Sequence, residues 1–454
     1  MSSFVSDMTK GSPVKLLLSF TFPMLIGNLF QQIYNIVDSM IVGKFVGADA
    51  LAAVGATGSV NFLFFSICFG LAAGIGIIIS QYFGAKDDEY VKRSIANSIY
   101  VVMLSAILMG VLGFVLSGPV LRFLNTPDNI IADSILYMRI TCLGLISVAA
   151  YNGISAILRA LGDSRTPLVF LVIATMLNVV LDLFFVIVFK WGVAGVAVAT
   201  IISQGVAALG CFWFAFRENP YFFISKEDLQ LDKTIIKKCI KLGFPIAVQS
   251  SMIAISLVAL QSVVNTFGSV VVAAFTVTSR IEQLVQQPYN SLATALSTYT
   301  GQNVGANQIE RVKNGFMKSF IIMGCFTLCM LPLVQFFGHF IMNLFVDEVE
   351  VIELGTKALK ITSWFYLSLG IIYITRGLLN GAGDVTYSLI NGVIEMIGRI
   401  GFAKPLTMIP GIGVWGLWVT TALTWFITAI ASLIRYWGGK WKSKSVVQPS
   451  IVAD

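Results

Sequence analysis

Twelve long apolar segments follow one another along the chain, and they restrict the fold more than any other sequence feature. A helix needs about 20 mostly apolar residues to cross the hydrocarbon core of a bilayer. Several segments are longer than this, which indicates tilted helices or helices that extend into water. The segments lie at residues 15–41, 50–83, 93–118, 130–158, 166–189, 193–216, 237–267, 272–301, 314–345, 355–380, 386–409 and 413–437. We therefore predict an all-α integral membrane protein with twelve transmembrane helices.

The composition excludes the common classes of soluble protein. Hydrophobic residues make up 57% of the 454 residues, and charged residues make up only 12%. A soluble globular protein carries about 25% charged residues. The chain is therefore predicted to be neither a soluble enzyme, a nucleic-acid binder nor a disordered protein. Its formal net charge of +7 is interpreted as a membrane-orientation signal, and the lipid bilayer is its expected environment.

The distribution of basic residues between the loops predicts the orientation. With the N-terminus inside, the inner segments carry most of the lysines and arginines, including Lys237, Lys238 and Lys241. The outer loops carry few: Lys44, Arg122, Lys190, Lys357 and Lys404. Cytoplasmic loops are enriched in basic residues. We predict a multi-pass protein of the plasma (inner) membrane with both termini in the cytoplasm.

Catalytic and cofactor motifs are missing from the sequence. It contains no P-loop, no nucleophile elbow and no HExxH motif. The six cysteines form no CxxC pair, and His339 is the sole histidine. We therefore predict that the chain is not an enzyme and needs no cofactor.

The two halves of the chain repeat each other at an offset of about 221–222 residues. The matched pairs are Phe22-Pro23 with Phe244-Pro245, Ser80-Gln81 with Gly301-Gln302, Gly162-Asp163 with Gly383-Asp384, and Gly192-Val193 with Gly413-Val414. Because each half has an even number of helices, the repeats are parallel and related by a pseudo-two-fold axis along the membrane normal. The sequence thus predicts two six-helix lobes with a cleft between them.

The repeat sets the predicted domain boundaries. Residues 1–216 form the N-terminal lobe, 217–241 a cytoplasmic linker, and 242–454 the C-terminal lobe with a short basic tail. Two lobes flanking a cleft that opens to either side in turn are a common transporter plan. A duplicated bundle needs no partner to form its cleft, so a monomer is expected.

Polar residues in the first-half helices suggest an ion site. Asp38 lies in the first segment, and Asn178 and Asp182 share one face of the fifth because they are four residues apart. Asn152 and Thr200 lie in the fourth and sixth segments. Ionisable residues within the membrane are costly and mark ion or substrate pathways. Two carboxylates with amide and hydroxyl oxygens can hold Na⁺, a hard cation, or protons. As Na⁺ ligands we expect Asp38, Asn178, Asp182 and Thr200. Hydrogen bonding between helices is the alternative.

The second half offers different polar residues. The positions that match Asn178 and Asp182 are Arg399 and Ala403, so the predicted ion site occurs in one half only. Arg399 can pair with Glu395, one helical turn away, in a structural ion pair, or Glu395 can face substrate. The candidates for the substrate cleft are Gln31, Asn35, Glu282, Gln286, Glu395 and Arg399.

Pro23 lies inside the first helix, upstream of Asp38. Proline removes a backbone hydrogen bond and kinks a helix. The kink can serve as a hinge that couples the carboxylate to the shape of the helix, or it can be a fixed feature. Pro245 at the matching position favours an architectural kink in both halves.

These motifs resemble those of the multidrug and toxic compound extrusion (MATE) transporters over almost the full chain. The matching features are Phe22-Pro23, Gln31 to Asp38 with Gly43 and Gly47, Gly84-Ala85, and Leu158 to Asp163 with its repeat at Gly383-Asp384. The spacing of Asn178, Asp182 and Thr200 is most similar to the DinF-like branch. The resemblance implies two V-arranged lobes and export of organic cations in exchange for Na⁺ or H⁺. Another branch has an acid early in the seventh helix, but Ile253 to Leu260 contain none.

The function predicted from the sequence is that of a secondary multidrug antiporter for amphipathic organic cations, working by alternating access. An ion from outside would bind to the ion site of the first half, and rearrangement of the first helix would release substrate outward. One alternative is a flippase for lipid-linked oligosaccharides, which would favour several basic residues in the cleft. Only Arg280 and Arg399 are expected deep in the bundle. The other alternative is a membrane protein without transport activity.

Overall fold

The computed structural model describes residues 5–447 and is built of helices in that part of the chain. The α-helices are α1 Pro13–Ile41, α2 Ala48–Gly84, α3 Asp88–Phe123, α4 Asp128–Leu143, α5 Leu145–Ala160, α6 Arg165–Leu183, α7 Gly192–Glu218, α8 Lys233–Val264, α9 Ser269–Gly305, α10 Ile309–Asn343, α11 Val349–Ser363, α12 Tyr366–Gly381, α13 Thr386–Met408 and α14 Gly416–Trp437. Two π-helical turns, Val42–Val46 and Phe184–Val188, extend α1 and α6.

The twelve predicted segments are all present, and two of them are broken. The fourth is formed by α4 and α5, which bend by 44° at Gly144, and the tenth by α11 and α12, which bend by 53°. Within residues 5–447, eight helices alone are long and apolar enough to cross a membrane, or up to ten spans if each bent pair counts as one. The remaining two predicted spans are α9 and α13, of 37 and 23 residues.

The helices of each half form their own apolar core. In addition, the first turns of one helix from each half pack into the core of the other half. Leu17 and Phe20, from the first turns of α1, pack into the core made by the second-half helices. Ile235 and Cys239, from the first turns of α8, pack into the core of the first-half helices. Since α1 and α8 are repeat mates, this exchange is symmetric. It ties the two halves together at one end of the bundle.

The stretch between the halves is short and anchored. Residues 219–232 join α7 to α8 with a single 3-10 turn, Pro220–Phe222. Asn97 of α3 donates through Nδ2 to Gln230 O at 3.1 Å and accepts from Asp232 N at 2.8 Å. The predicted linker of 217–241 covers this stretch and the first two turns of α8.

Close backbone contact between α2 and α9 closes the end of the bundle where residues 5–8 and 444–447 lie. We call this end the terminal face. A Cβ atom on Gly84 would overlap the carbonyl oxygen of Gln302, and one on Gly305 would overlap that of Gln81. The two overlaps occur at positions that match each other in the internal repeat. Only glycine allows the helix backbones to approach this closely at both crossings.

Two glutamines reinforce this crossing, and we name Gln81, Gly84, Gln302 and Gly305 the terminal seal. Gln81 Nε2 donates to Gly381 O at 2.9 Å, and Gln302 Nε2 donates to Ala160 O at 3.0 Å. The backbone N–H of Val446 donates to Gln81 Oε1, and that of Met8 donates to Gln302 Oε1, both at 2.7 Å. The same geometry in both repeats therefore links the two lobes to each other and to the segments around Met8 and Val446.

Candidate functional site

A half-buried and a fully buried carboxyl group face each other in the first half. Asp38 on α1 and Asp182 on α6 lie within hydrogen-bonding range of each other. Asp182 is 0% exposed, and its Oδ1 has no hydrogen-bond partner. The structure therefore places together the two acids singled out in the sequence.

Asn178 bridges the two acids. With its amide oriented to satisfy both ends, Nδ2 donates to Asp38 Oδ1 at 2.9 Å and to Asp182 Oδ2 at 3.2 Å. Its Oδ1 then accepts the backbone N–H of Thr200 at 3.3 Å. The fifth-segment spacing of four residues places both side chains on one face of α6, and α7 supplies Thr200. We call Asp38, Asn178, Asp182 and Thr200 the acidic pair site.

The acidic pair site is chemically incomplete. Ionised carboxylates are only acceptors, so two of them in contact repel each other in a low-dielectric interior. A shared proton or a small cation between the oxygens removes that repulsion. The unpartnered Asp182 Oδ1 is a free ligand for either. The arrangement can therefore load and unload one positive charge.

Two tyrosines that the sequence reasoning missed border the site. The Tyr34 hydroxyl lies 3.1 Å from Thr200 Oγ1 and also contacts the Asp38 carboxyl. Tyr137 on α4 lies close enough to both acids to interact with their charges. Tyr34 lies one helical turn before Asp38, a spacing that could have indicated it. Tyr137 is distant in sequence, and no pattern marks it.

Asn152 is not part of this hydrogen-bonded group. Its Nδ2 donates to Val148 O within α5 at 2.8 Å, and the side chain lines the large cavity between the lobes. Its amide is thus satisfied by its own helix, and a role in ion coupling stays a prediction.

Both acids precede a π-helical turn. Asp38 lies four residues before Val42, and Asp182 lies two before Phe184, where the two π turns begin. Ile41, Val42 and Val186 share one small apolar cluster, so the turns pack against each other. π-helical turns are frequent at functional sites because the widened ladder is easily rearranged. In the matching places, α8 is followed by a 3-10 turn, Asn265–Phe267, and α13 ends without a π turn.

The second half contains a smaller chamber of about 130 Å³. Four of the six predicted cleft residues line it: Glu282, Gln286, Glu395 and Arg399. Arg399 Nη2 lies 3.0 Å from Glu395 Oε2, and its Nη1 donates to Ser256 Oγ at 2.9 Å. The i, i+4 spacing predicted this pair. Glu282 is buried with Oε1 unpartnered, and Thr362 and Arg399 are its polar neighbours.

Replacing Arg399 by methionine is expected to destabilise the protein by about 3–5 kcal/mol, because it leaves the Glu395 carboxylate buried without its partner. The double variant Glu395→Gln/Arg399→Met is expected to recover most of this loss. Thermal unfolding of the detergent-purified proteins measures both effects. Equal melting temperatures for wild type and Arg399→Met would contradict a structural role for the pair.

The remaining predicted residues lie on α1. Gln31 and Asn35 are exposed and line neither cavity. Pro23 is buried, and α1 continues as a helix through it from Pro13 to Ile41, as α8 does through Pro245. Substrate contact by Gln31 and Asn35 and a hinge at Pro23 stay predictions.

A large cavity of about 1250 Å³ lies between the two halves. Near the terminal face its lining ends at Ser80, next to Gln81 of the terminal seal, and at Thr298, one helical turn before Gln302. At the other end it reaches Gly55 and Thr276, about two turns from the starts of α2 and α9. The cavity is thus closed at the terminal face and extends toward the opposite one.

The charged residues of this central cavity differ from the sequence expectation. Its charged lining residues are Arg159, Arg280 and Arg376. The sequence suggested Arg280 and Arg399 as the deep basic residues, but Arg399 is paired in the smaller chamber. Arg159 and Arg376 were missed because a helical pattern in a membrane protein does not separate cavity-facing from buried positions.

A bundle of membrane-spanning helices, a cavity closed at one face and a buried ionisable site together define a membrane transporter. The MatE family model matches residues 23–184 and 245–403, which cover most of both halves. The first residues matched are Pro23 and Pro245, the proline pair of the internal repeat. The chain belongs to the MatE family of multidrug transporters.

Curated relatives agree with this assignment. The chain is 31% identical to the probable multidrug resistance protein YpnP of Bacillus subtilis, over 96% of this chain and 98% of that protein. It is 24% identical to the multidrug export protein MepA of Staphylococcus aureus, over 85% of each chain. Both relatives are named for multidrug resistance or export.

Solved structures confirm the fold. A transporter of the MOP superfamily from Pyrococcus furiosus superposes with a TM-score of 0.91 at 24% identity, over 99% of this chain and 100% of that one. A MATE structure in the bent conformation gives a TM-score of 0.89 at 24% identity, over 97% and 98%. The predicted all-α fold of twelve spans in two six-helix lobes is confirmed.

Proposed function

We propose that this chain is a secondary active multidrug antiporter that exports amphipathic organic compounds in exchange for H⁺ or Na⁺ by alternating access. The observation that carries the proposal is the contact between Asp38 and Asp182, bridged by Asn178, with one carboxylate oxygen unpartnered. A positive charge bound there removes the repulsion between the acids. Its release restores that repulsion, so the site favours different helix arrangements in its loaded and unloaded states.

Helix α1 connects the ion site to the opposite lobe. It carries Asp38 near its end, and Asn28 on the same helix donates to Ser291 Oγ of α9 at 3.1 Å. A change in α1 on ion loading would therefore act on α9, which forms half of the terminal seal. The π turn after Asp38 gives the helix a place to rearrange.

Organic cations are the cargo class that the sequence predicts, and the second-half chamber supports their binding. Glu282 supplies a buried carboxylate with a free oxygen. Phe275, Tyr373 and Trp425 line the same chamber. Aromatic faces attract cations, so an ammonium group fits this chamber. We propose Glu282 as the residue that binds it.

The same proposal includes the setting of the protein. The terminal face lies in the cytoplasm of a plasma (inner) membrane, and residues 1–216 and 242–454 act as the two lobes around the linker of 217–241. The transporter works as a monomer of the DinF-like branch without a cofactor, and its coupling ion is a transported substrate.

Efflux of a fluorescent organic cation from proteoliposomes tests this function, with a Na⁺ gradient and a pH gradient imposed separately. Efflux driven by one gradient and abolished by the matching ionophore is expected, and it identifies the ion. Empty liposomes provide the background. If neither gradient moves the dye while the protein elutes as a folded species, the antiport proposal fails.

A flippase for lipid-linked oligosaccharides is the second candidate, and one observation favours it. Arg159, Arg280 and Arg376 line the central cavity, where a pyrophosphate group would need basic residues. Scrambling of a fluorescent lipid-linked sugar between the leaflets of proteoliposomes, without any gradient, would support this candidate over the antiporter.

A further inference from the structure

We propose that the central cavity binds the anionic group of an amphipathic cargo, a carboxylate, sulfonate or phosphate, through Arg159, Arg280 and Arg376. This inference rests on the proposed export function and names the chemistry of its cargo. It adds a site that the sequence did not indicate.

The charge of the cavity carries the inference. The lining contains three guanidinium groups and neither aspartate nor glutamate. Among the ion pairs found in residues 5–447, none involves these three arginines, whereas Arg399 and Arg435 are both paired with acids. Arginine stays protonated in proteins, so the lining of this cavity carries three positive charges and no acidic side chain. These charges attract an anionic group on the cargo.

The arginines come from different helices and from both lobes. Arg159 lies at the end of α5, Arg280 lies in the outer part of α9, and Arg376 lies in α12. They are thus distributed along the cavity from the terminal seal outward. An anion moving through the cavity meets them in turn, which suits a transport path.

Arg376 contacts an aromatic ring and still has N–H donors for a ligand. Its guanidinium lies 4.6 Å from the centre of the Tyr373 ring, a cation–π contact. A guanidinium group has five N–H donors, so Arg376 can bind a carboxylate or phosphate while it contacts the ring. The side chains of Arg159 and Arg280 make no hydrogen bond or ion pair within residues 5–447.

The lining of the cavity favours an amphipathic cargo. Phe62 and Phe69 of α2 and Leu257 of α8 supply apolar surface opposite the arginines' helices. Gln249 and Asn290 add neutral polar groups. Planar apolar compounds with one anionic group match this lining.

The cavity joins the second-half chamber through shared residues. Gln283, Tyr373 and Arg376 line both spaces. A zwitterion can therefore place its ammonium group near Glu282 and its anionic group on Arg376. The anion site thus refines the cation proposal, because it selects cations that also carry a negative group.

A pair of dyes that differ by one carboxylate tests the site. Rhodamine 110 carries a free carboxylate, and rhodamine 123 is its methyl ester. Fluorescence anisotropy with the purified full chain in nanodiscs, without any gradient, measures both affinities. We expect the acid to bind at least about tenfold more tightly than the ester, since hydrogen bonds to charged groups contribute that much.

Single substitutions locate the site. Arg376→Gln and Arg280→Gln are each expected to weaken binding of the acid by about tenfold and to leave binding of the ester unchanged or improved. Arg280 is exposed, so its variant keeps the test valid if Arg376→Gln folds poorly. Arg122→Gln is the matched control, because Arg122 is an exposed arginine outside the cavity.

Tighter binding of the ester, or equal loss of both dyes in the arginine variants, would overturn the inference. Binding is measured without a gradient, so a charge preference without gradient-driven transport would refute antiport and leave the anion site standing. Competition by dihexanoyl phosphatidic acid separates the sources of the anion. Displacement of the acid dye assigns the site to a lipid phosphate, and retention of the dye assigns it to soluble organic anions.

Discussion

Replacing Asp182 by asparagine is expected to reduce gradient-driven efflux to the level of empty vesicles while leaving the protein folded. The amide keeps the shape of the side chain but cannot carry the charge that exchanges with a proton or cation. Because Asp182 is fully buried with one oxygen unpartnered, the neutral side chain should not lower the melting temperature. Efflux from proteoliposomes and thermal unfolding of the same preparation measure the two effects.

Asp133→Asn is the matched control for this prediction, because Asp133 is an exposed acid on α4 that lines neither cavity. Its efflux should equal that of the wild type. Asp38→Asn should resemble Asp182→Asn, since both acids share one site. Wild-type efflux by Asp182→Asn would remove the acidic pair from the coupling mechanism.

Replacing Gly84 by alanine is expected to separate α2 from α9 at the terminal face and to abolish export. The added methyl group would overlap the carbonyl oxygen of Gln302, a backbone atom that cannot rotate away. Overpacking of this kind costs about 1–3 kcal/mol or more. The overlap destabilises the closed state of the terminal face but not a state in which the lobes are apart.

Spin labels on the repeat mates Glu89 and Glu310 measure the separation, since both residues are exposed in the first turns of α3 and α10. The exposed Cys325 and Cys329 are first replaced by serine. The distance between the labels should increase in Gly84→Ala and also in Gly305→Ala. Gly324→Ala is the control, because nothing lies within 4 Å of its added Cβ. An unchanged distance in both seal variants would show that the crossing tolerates a side chain and does not hold the face closed.

Local spacing predicted the parts of the molecule that depend on one helix. Twelve apolar segments gave the spans, and the i, i+4 spacings placed Asn178 beside Asp182 and Glu395 beside Arg399. The internal repeat identified Gln81 and Gln302 as equivalent, although it did not indicate that Gly305 packs against Gln81 and Gly84 against Gln302.

Contacts between distant helices could not be predicted in this way. Tyr137 reaches the acids from α4, and Arg159 and Arg376 reach the cavity from α5 and α12. In lipid, every outward face is as apolar as the core, so hydrophobic periodicity does not reveal which side of a helix faces a cavity. The π turns and the bends at the fourth and tenth spans also depend on packing between helices.

The chain ends take part in the terminal seal through their backbones. Met8 and Val446 each donate an N–H to the glutamine of the seal, and Arg311 donates to the carbonyl oxygen of Met8 at 3.1 Å. When the lobes part, these donors lose their acceptors. Under the proposed alternating access, we therefore expect a protein fused close to residues 5–8 or 444–447 to shift the balance between the two facing states. Fusion tags with long linkers are the neutral choice for measuring transport by this protein.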